Sequence, residues 1–198
     1  MDAQTVLDCW FGSNADEAAV VREKGGMWWK SDAAVDDDLR TRFTKAVEMA
    51  GRDELGDWNS TPRGLLALII LTDQFPRNIF RNTPRAFFFD PIARAHCRDG
   101  IGRGFDLQLR PIERVFHYLP LEHSEALHDQ DESVRLFGGL AREASAGNKD
   151  LYAGYLNYAE RHREIIARFG LFPHRNRIVG RESTSEEIAF LQTPGSSF

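Results

Sequence analysis

The sequence predicts an all-α protein of about eight helices packed as antiparallel pairs. Three observations carry that expectation. Apolar residues recur at helical spacing along nearly all of the 198 residues, and strand-like alternation is scarce. The polar stretches between them hold the capping hydroxyls, acids and prolines that start helices. The length suits one all-helical domain, residues 1–198, or two closely packed helical halves. A chain of this size buries roughly 70% of the surface its unfolded form exposes, so it needs no disulfide or metal staple.

Taken in order, Thr5 to Phe11 reads as a first helix ended by Gly12. A polar connection follows, in which Trp28-Trp29 is expected to plug a hydrophobic surface. Val35, Leu39, Phe43 and Val47 then recur every four residues behind Asp32 as N-cap, with Gly51 just past the end. Thr61-Pro62 is a strong start signal, because the hydroxyl caps and the proline's missing N–H costs nothing at the first helical position. Leu65 to Leu71 is apolar on all sides and belongs in the core. Pro76 disfavours helical backbone at Phe75, so this helix is expected to end near Gln74.

Thr83-Pro84 and Asp90-Pro91 repeat the cap-and-proline signal and predict a turn, then a helix reaching about Asp99. Gly100, Gly102 and Gly104 loosen the chain. Pro111 to Tyr118 reads as a short helix stopped by Pro120, and Glu122 to about Ala146 as the next. After Asn148 and Asp150 as caps, Leu151, Tyr155, Tyr158, His162, Ile165 and Phe169 form one stripe, closed by Gly170. Thr184 with Glu187 three residues on is a capping box for the last helix.

Composition bounds the function. Charged residues are 28% of the chain and hydrophobic residues 42%, an ordinary globular balance. The net charge of −5 argues against nucleic-acid or anionic-membrane binding, since phosphate contacts demand a basic face. Cys9 and Cys97 lie far apart and outside any metal-ligand spacing, which predicts reduced thiols in a cytoplasmic protein. The N-terminus lacks the basic start and apolar core of a signal peptide. The longest apolar run is far short of the ~20 residues that span a bilayer.

One word occurs twice. Phe75-Pro76-Arg77-Asn78 and Phe172-Pro173-His174-Arg175-Asn176 each set arginine and asparagine behind a fixed Phe-Pro corner. Asp73 and Gln74 precede the first at a helix C-terminus, where the macrodipole disfavours negative charge. Asp73 therefore needs a cation, and it serves either to hold the Arg77 turn in shape or as an acid in a cleft. Leu121-Glu122-His123-Ser124-Glu125 is expected in the first turn of a helix, where acids are good dipole partners and His123 is poised to move protons near neutral pH. Glu125 and His128 have the spacing of a carboxylate-bridged metal bundle, but the motif occurs once and such a site needs it twice. No cofactor or metal is implied.

His162 lies on an apolar stripe, as a satisfied core histidine does, and is kept as a candidate ligand-binding residue. Arg175 and Arg181 precede a helix N-terminus, and their planar guanidiniums match carboxylate or phosphate. The expected ligand is a small anionic metabolite bound by Arg77, Arg175 and Arg181. Asn78 and Asn176 orient it, and Gln74 and His162 are nearby. If chemistry occurs, His123 or His174 is the acid–base group, with Asp73 or Glu125 setting its tautomer, and the reaction is hydrolysis or transfer. The rival is a non-enzymatic module whose groove takes a peptide or protein partner. Its arginines would then be internal braces, paired with Asp73, Glu122, Glu125 and Glu182 in a network that binds nothing.

Several of these words together have a precedent. Leu7-Asp8-Cys9-Trp10-Phe11-Gly12, Trp28-Trp29, Leu71-Thr72-Asp73-Gln74-Phe75-Pro76-Arg77-Asn78, Pro120 to Glu125, Phe169 to Asn176, and Gly180-Arg181-Glu182-Ser183-Thr184 stand in this order. The set resembles a bacterial family catalogued as domain of unknown function 924, over nearly the whole chain. The resemblance implies a tetratricopeptide-like right-handed array of helix pairs and a compact cytoplasmic protein. It implies no activity, cofactor or partner. Cys9 stands where an aromatic is more usual, and Leu171 where an arginine is expected, which removes one candidate cation.

Overall fold

The structure, a computed structural model, describes residues 1–196. Among them the secondary structure is helical throughout, with no strand. The chain forms two compact units, one built from Met1–Arg81 with Arg85–Pro120, the other from Asn82–Pro84 with the residues from Leu121 onward.

The first unit opens with α1 (Ala3–Phe11), capped by Asp2. Next comes α2 (Glu17–Trp29), capped by Asp16, whose carboxylate accepts from the N–H groups of Ala18 and Ala19. The polar connection expected here is thus a helix. Its Gly25-Gly26 pair and weak amphipathicity hid it, and burial of Ala19, Val20 and Trp28 overrides poor propensity. Trp28 does plug the core, and its indole donates to the Trp10 carbonyl at 3.0 Å. α3 (Ala33–Gly51) starts at Asp32 as expected.

α4 (Pro62–Ile69) is capped by Thr61 and does not stop near Gln74. A π turn, Ile70–Gln74, leads directly into α5 (Phe75–Ile79). The Phe75 N–H reaches back five residues to the Ile70 carbonyl. This wider turn relieves the clash that Pro76 would make with the carbonyl four residues back. Leu65 to Leu71 is 3% exposed or less, with α1 and α6 (Asp90–Gly102) packed on α4, and α3 against the π turn and α5. Trp10, Phe43, Phe75 and Phe116 fill the centre, with ring centroids 4.7–5.6 Å apart.

α6 runs past Asp99 because Gly100 is a packing glycine. A Cβ there would lie 2.4 Å from the His117 ring. α7 (Pro111–Glu122) carries Pro120 inside it, so that proline does not end the helix either. Tyr118, Leu119 and Leu121 are all buried, and their packing holds the last turn.

In the second unit α8 (Leu127–Glu143) pairs with α9 (Lys149–Phe169). The short connection, residues 144–148, makes them antiparallel. α8 starts later than expected, so Glu122 ends one helix and residues 123–126 form a connection. Gln130 caps that junction, donating to the carbonyls of Glu122 and Ser124 at 2.6 Å each. The buried stripe of α9 is Tyr152, Ala159, His162, Ile165 and Ile166, while Tyr158 is exposed. Gly170 ends α9 at φ 71°, a left-handed conformation that favours glycine. Ile165, Ile166 and Phe172 form a core with Phe169 and Phe190. α10 (Asn176–Val179) and α11 (Ser185–Leu191) complete the unit, the latter with both bonds of the Thr184–Glu187 capping box. There are more helices than the eight expected. None among the described residues is long and apolar enough to cross a membrane.

Candidate functional site

In the first unit, the π turn and α5 turn Asp73, Gln74, Arg77 and Asn78 onto neighbouring acids. Arg77 forks onto Asp90 at 3.0 and 3.1 Å, and also donates to the Asp73 carbonyl at 2.6 Å. Its guanidinium lies 3.3 Å from the Asp73 carboxylate, which is also hydrogen-bonded by the Gln74 amide. Asn78 donates to Asp36 at 2.9 Å, and Arg81 clamps the same carboxylate at 2.6 and 2.8 Å. Burial raises the Asp36 carboxyl, but the bonds from Arg81 and Asn78 outweigh it and hold the group below the usual carboxylate range. Asp36 and Asp90 escaped sequence reasoning. Asp36 reads as an ordinary helix acid, and Asp90 as a cap.

In the second unit, Glu125 takes the Phe172 N–H at 2.9 Å and both terminal nitrogens of Arg181 at 2.7 and 2.8 Å. Lying in the connection between α7 and α8, this carboxylate ties residues 121–126 to the second Phe-Pro corner. Burial raises the Glu125 carboxyl, and the bonds from Arg181 and the Phe172 N–H more than reverse this. Asn176 spends its amide hydrogens on Ser183 and Glu187. His128 is exposed beside Asp129, apart from the Glu125 clamp.

Phe172, fully buried, is the platform of a polar cluster. The Arg175 guanidinium lies over its ring, 4.5 Å from the centroid. His162 and His174 stand at 5.5 and 5.6 Å, and His123 is 6.4 Å from His162. Arg175 is 7% exposed, whereas His123 and His174 are partly exposed. Nδ1 of His162 meets the Tyr158 carbonyl at 2.8 Å and Glu122 at 3.3 Å. Glu122, at the negative end of α7, gains a compensating donor there. Burial chiefly, with the fields of His123, Arg175 and His174 added, pushes the His162 imidazole down to about 3. Among the described residues, no group of three His, Cys, Asp or Glu is placed to hold a metal.

The result is an all-helical protein with one buried acid–arginine network in its first unit and an imidazole–guanidinium cluster in its second. The chain belongs to a bacterial family of proteins of unknown function, DUF924, whose family model matches residues 6–195. It is similar to the solved structure of a protein of unknown function, ATU0120, from Agrobacterium tumefaciens. The two are 38% identical over 96% of each chain, with a TM-score of 0.79. No curated protein matches the chain.

Proposed function

We propose that the chain binds a small oxyanionic metabolite at the cluster built on Phe172. One observation carries this reading: two imidazoles and a guanidinium gather on a single buried ring, with a third imidazole, His123, 6.4 Å from His162. Glu125, the acid expected to serve them, is instead committed to Arg181 and a backbone N–H. Arg175 supplies the planar fork, and the partly exposed His123 and His174 supply ring donors and the route to water. Hydrolysis or transfer, if the ligand reacts, falls to those two histidines. The free thiols of Cys9 and Cys97 fit a reducing, cytoplasmic setting.

Thermal unfolding with phosphate, pyrophosphate or citrate tests the reading. At least one should raise the wild-type midpoint in a dose-dependent way, and Arg175→Ala should abolish that response whatever its own baseline. No response to any anion, or an equal response in the variant, removes the proposal. A groove for a peptide or protein partner is the second reading, supported by the α8–α9 hairpin. Such hairpins are the unit from which tetratricopeptide-like arrays are stacked. A partner recovered in stoichiometric amount, without any anion response, would favour it.

A further inference from the structure

Gln130 on α8 governs where His123 stands, an inference that rests on the anion reading above. Its side chain has no exposed surface. The amide nitrogen donates to the carbonyls of Glu122 and Ser124 at 2.6 Å each, with the Leu121 carbonyl at 3.4 Å. Carbonyls only accept, so the amide turns its nitrogen to them and its oxygen away. That oxygen has no hydrogen-bond partner among the described residues. What Gln130 contributes beyond packing is therefore its pair of N–H groups. The two short bonds bracket His123: one grips the peptide that enters it, the other the peptide that leaves Ser124. The Ser124 hydroxyl is anchored to the same helix, donating to Asp129 at 2.6 Å. The backbone around His123 is thus set by α8, while its imidazole stands 6.4 Å from the His162 ring on α9.

We propose that Gln130 is a positioning residue of the anion site: by holding these two carbonyls it presents the His123 imidazole to the cluster on Phe172. It acts through His123 and not on the ligand. Without its N–H groups the carbonyls lose their donors in buried surroundings, and the segment shifts to find others. A displacement of about 1 Å is enough to break a hydrogen bond from the ring to an oxyanion.

Gln130→Met keeps the length and the apolar stem and removes the donors. Asp36→Ala, destabilised in the first unit, is the control for lost stability alone. Calorimetric titration with phosphate, pyrophosphate and citrate gives the affinities, each protein being held well below its unfolding midpoint. Gln130→Met should bind every anion that the wild type binds about tenfold more weakly, with Asp36→Ala within about twofold of wild type. The His123 ring signal in a proton–carbon NMR spectrum should move in Gln130→Met, while the exposed His128 keeps its own. Gln130→Glu, of the same length and without the N–H pair, carries the same expectation if the Met variant does not fold. Wild-type affinity in a folded Gln130 variant, an equal loss in Asp36→Ala or an unmoved His123 signal overturns the positioning role and leaves the anion reading standing. Failure of both Gln130 variants to fold marks a brace for the whole unit and overturns it too. No binding of any of the three anions to the wild type removes both readings.

Discussion

Replacing Glu125 separates the bond that builds the Phe172 platform from the ion pair beside it. Glu125→Gln keeps an oxygen for the Phe172 N–H but gives up the charge and one of the two Arg181 bonds. Both side chains of that pair are 31% exposed, so water recovers much of the loss and the cost is about 1 kcal/mol. Glu125→Ala also orphans the N–H of Phe172, a residue with no exposed surface. An unsatisfied buried donor adds about 1–3 kcal/mol, for a total of about 3 kcal/mol. For a chain of this length that lowers the melting midpoint by about 6–12 °C. Urea unfolding of wild type, Gln and Ala variants gives both differences directly. Equal losses in the two variants would mean that the carboxylate-to-backbone bond does not hold this corner and that Phe172 is not a built platform.

Two other outcomes follow from the buried charges. His117 and His162 have folded values near 4 and 3, below the ordinary 6.5, because burial opposes their protonation. Below pH 6.5 the unfolded chain takes up protons that the folded chain refuses, so stability falls steadily toward pH 4. At pH 4.5 the loss is about 2–3 kcal/mol per histidine. Chemical denaturation from pH 7 to 4.5 should show it, and a flat profile contradicts it. Asp36→Ala and Arg81→Ala should each cost about 2 kcal/mol, the first by stranding the Asn78 amide and the second by leaving a buried carboxylate with one donor fewer on each oxygen. The double variant should cost less than the sum by about 1 kcal/mol or more, and strict additivity would show the clamp to be idle.

The helical class and most helix starts were legible because caps act within four residues. Asp32, Thr61 and Thr184 bond to backbone two or three positions on, and Gly170 closes its helix by backbone freedom alone. The same local rules misplaced the ends at Pro76 and Pro120, where buried neighbours and a π turn outweigh a proline's preference. They also missed α2, whose helix is held by packing of Trp28 and Val20 rather than by propensity.

The partners of the polar residues were decided by tertiary structure. Arg81 finds Asp36 from 45 positions away, and Arg181 finds Glu125 from 56. Sequence showed that such arginines need acids and named Glu125 among them, yet spacing holds no information about contacts made across helices. Hydrogen bonds within a turn are fixed by the backbone path that the residues themselves dictate. Ion pairs and ring contacts between helices depend on which faces the apolar core turns toward each other, and only the folded chain sets that.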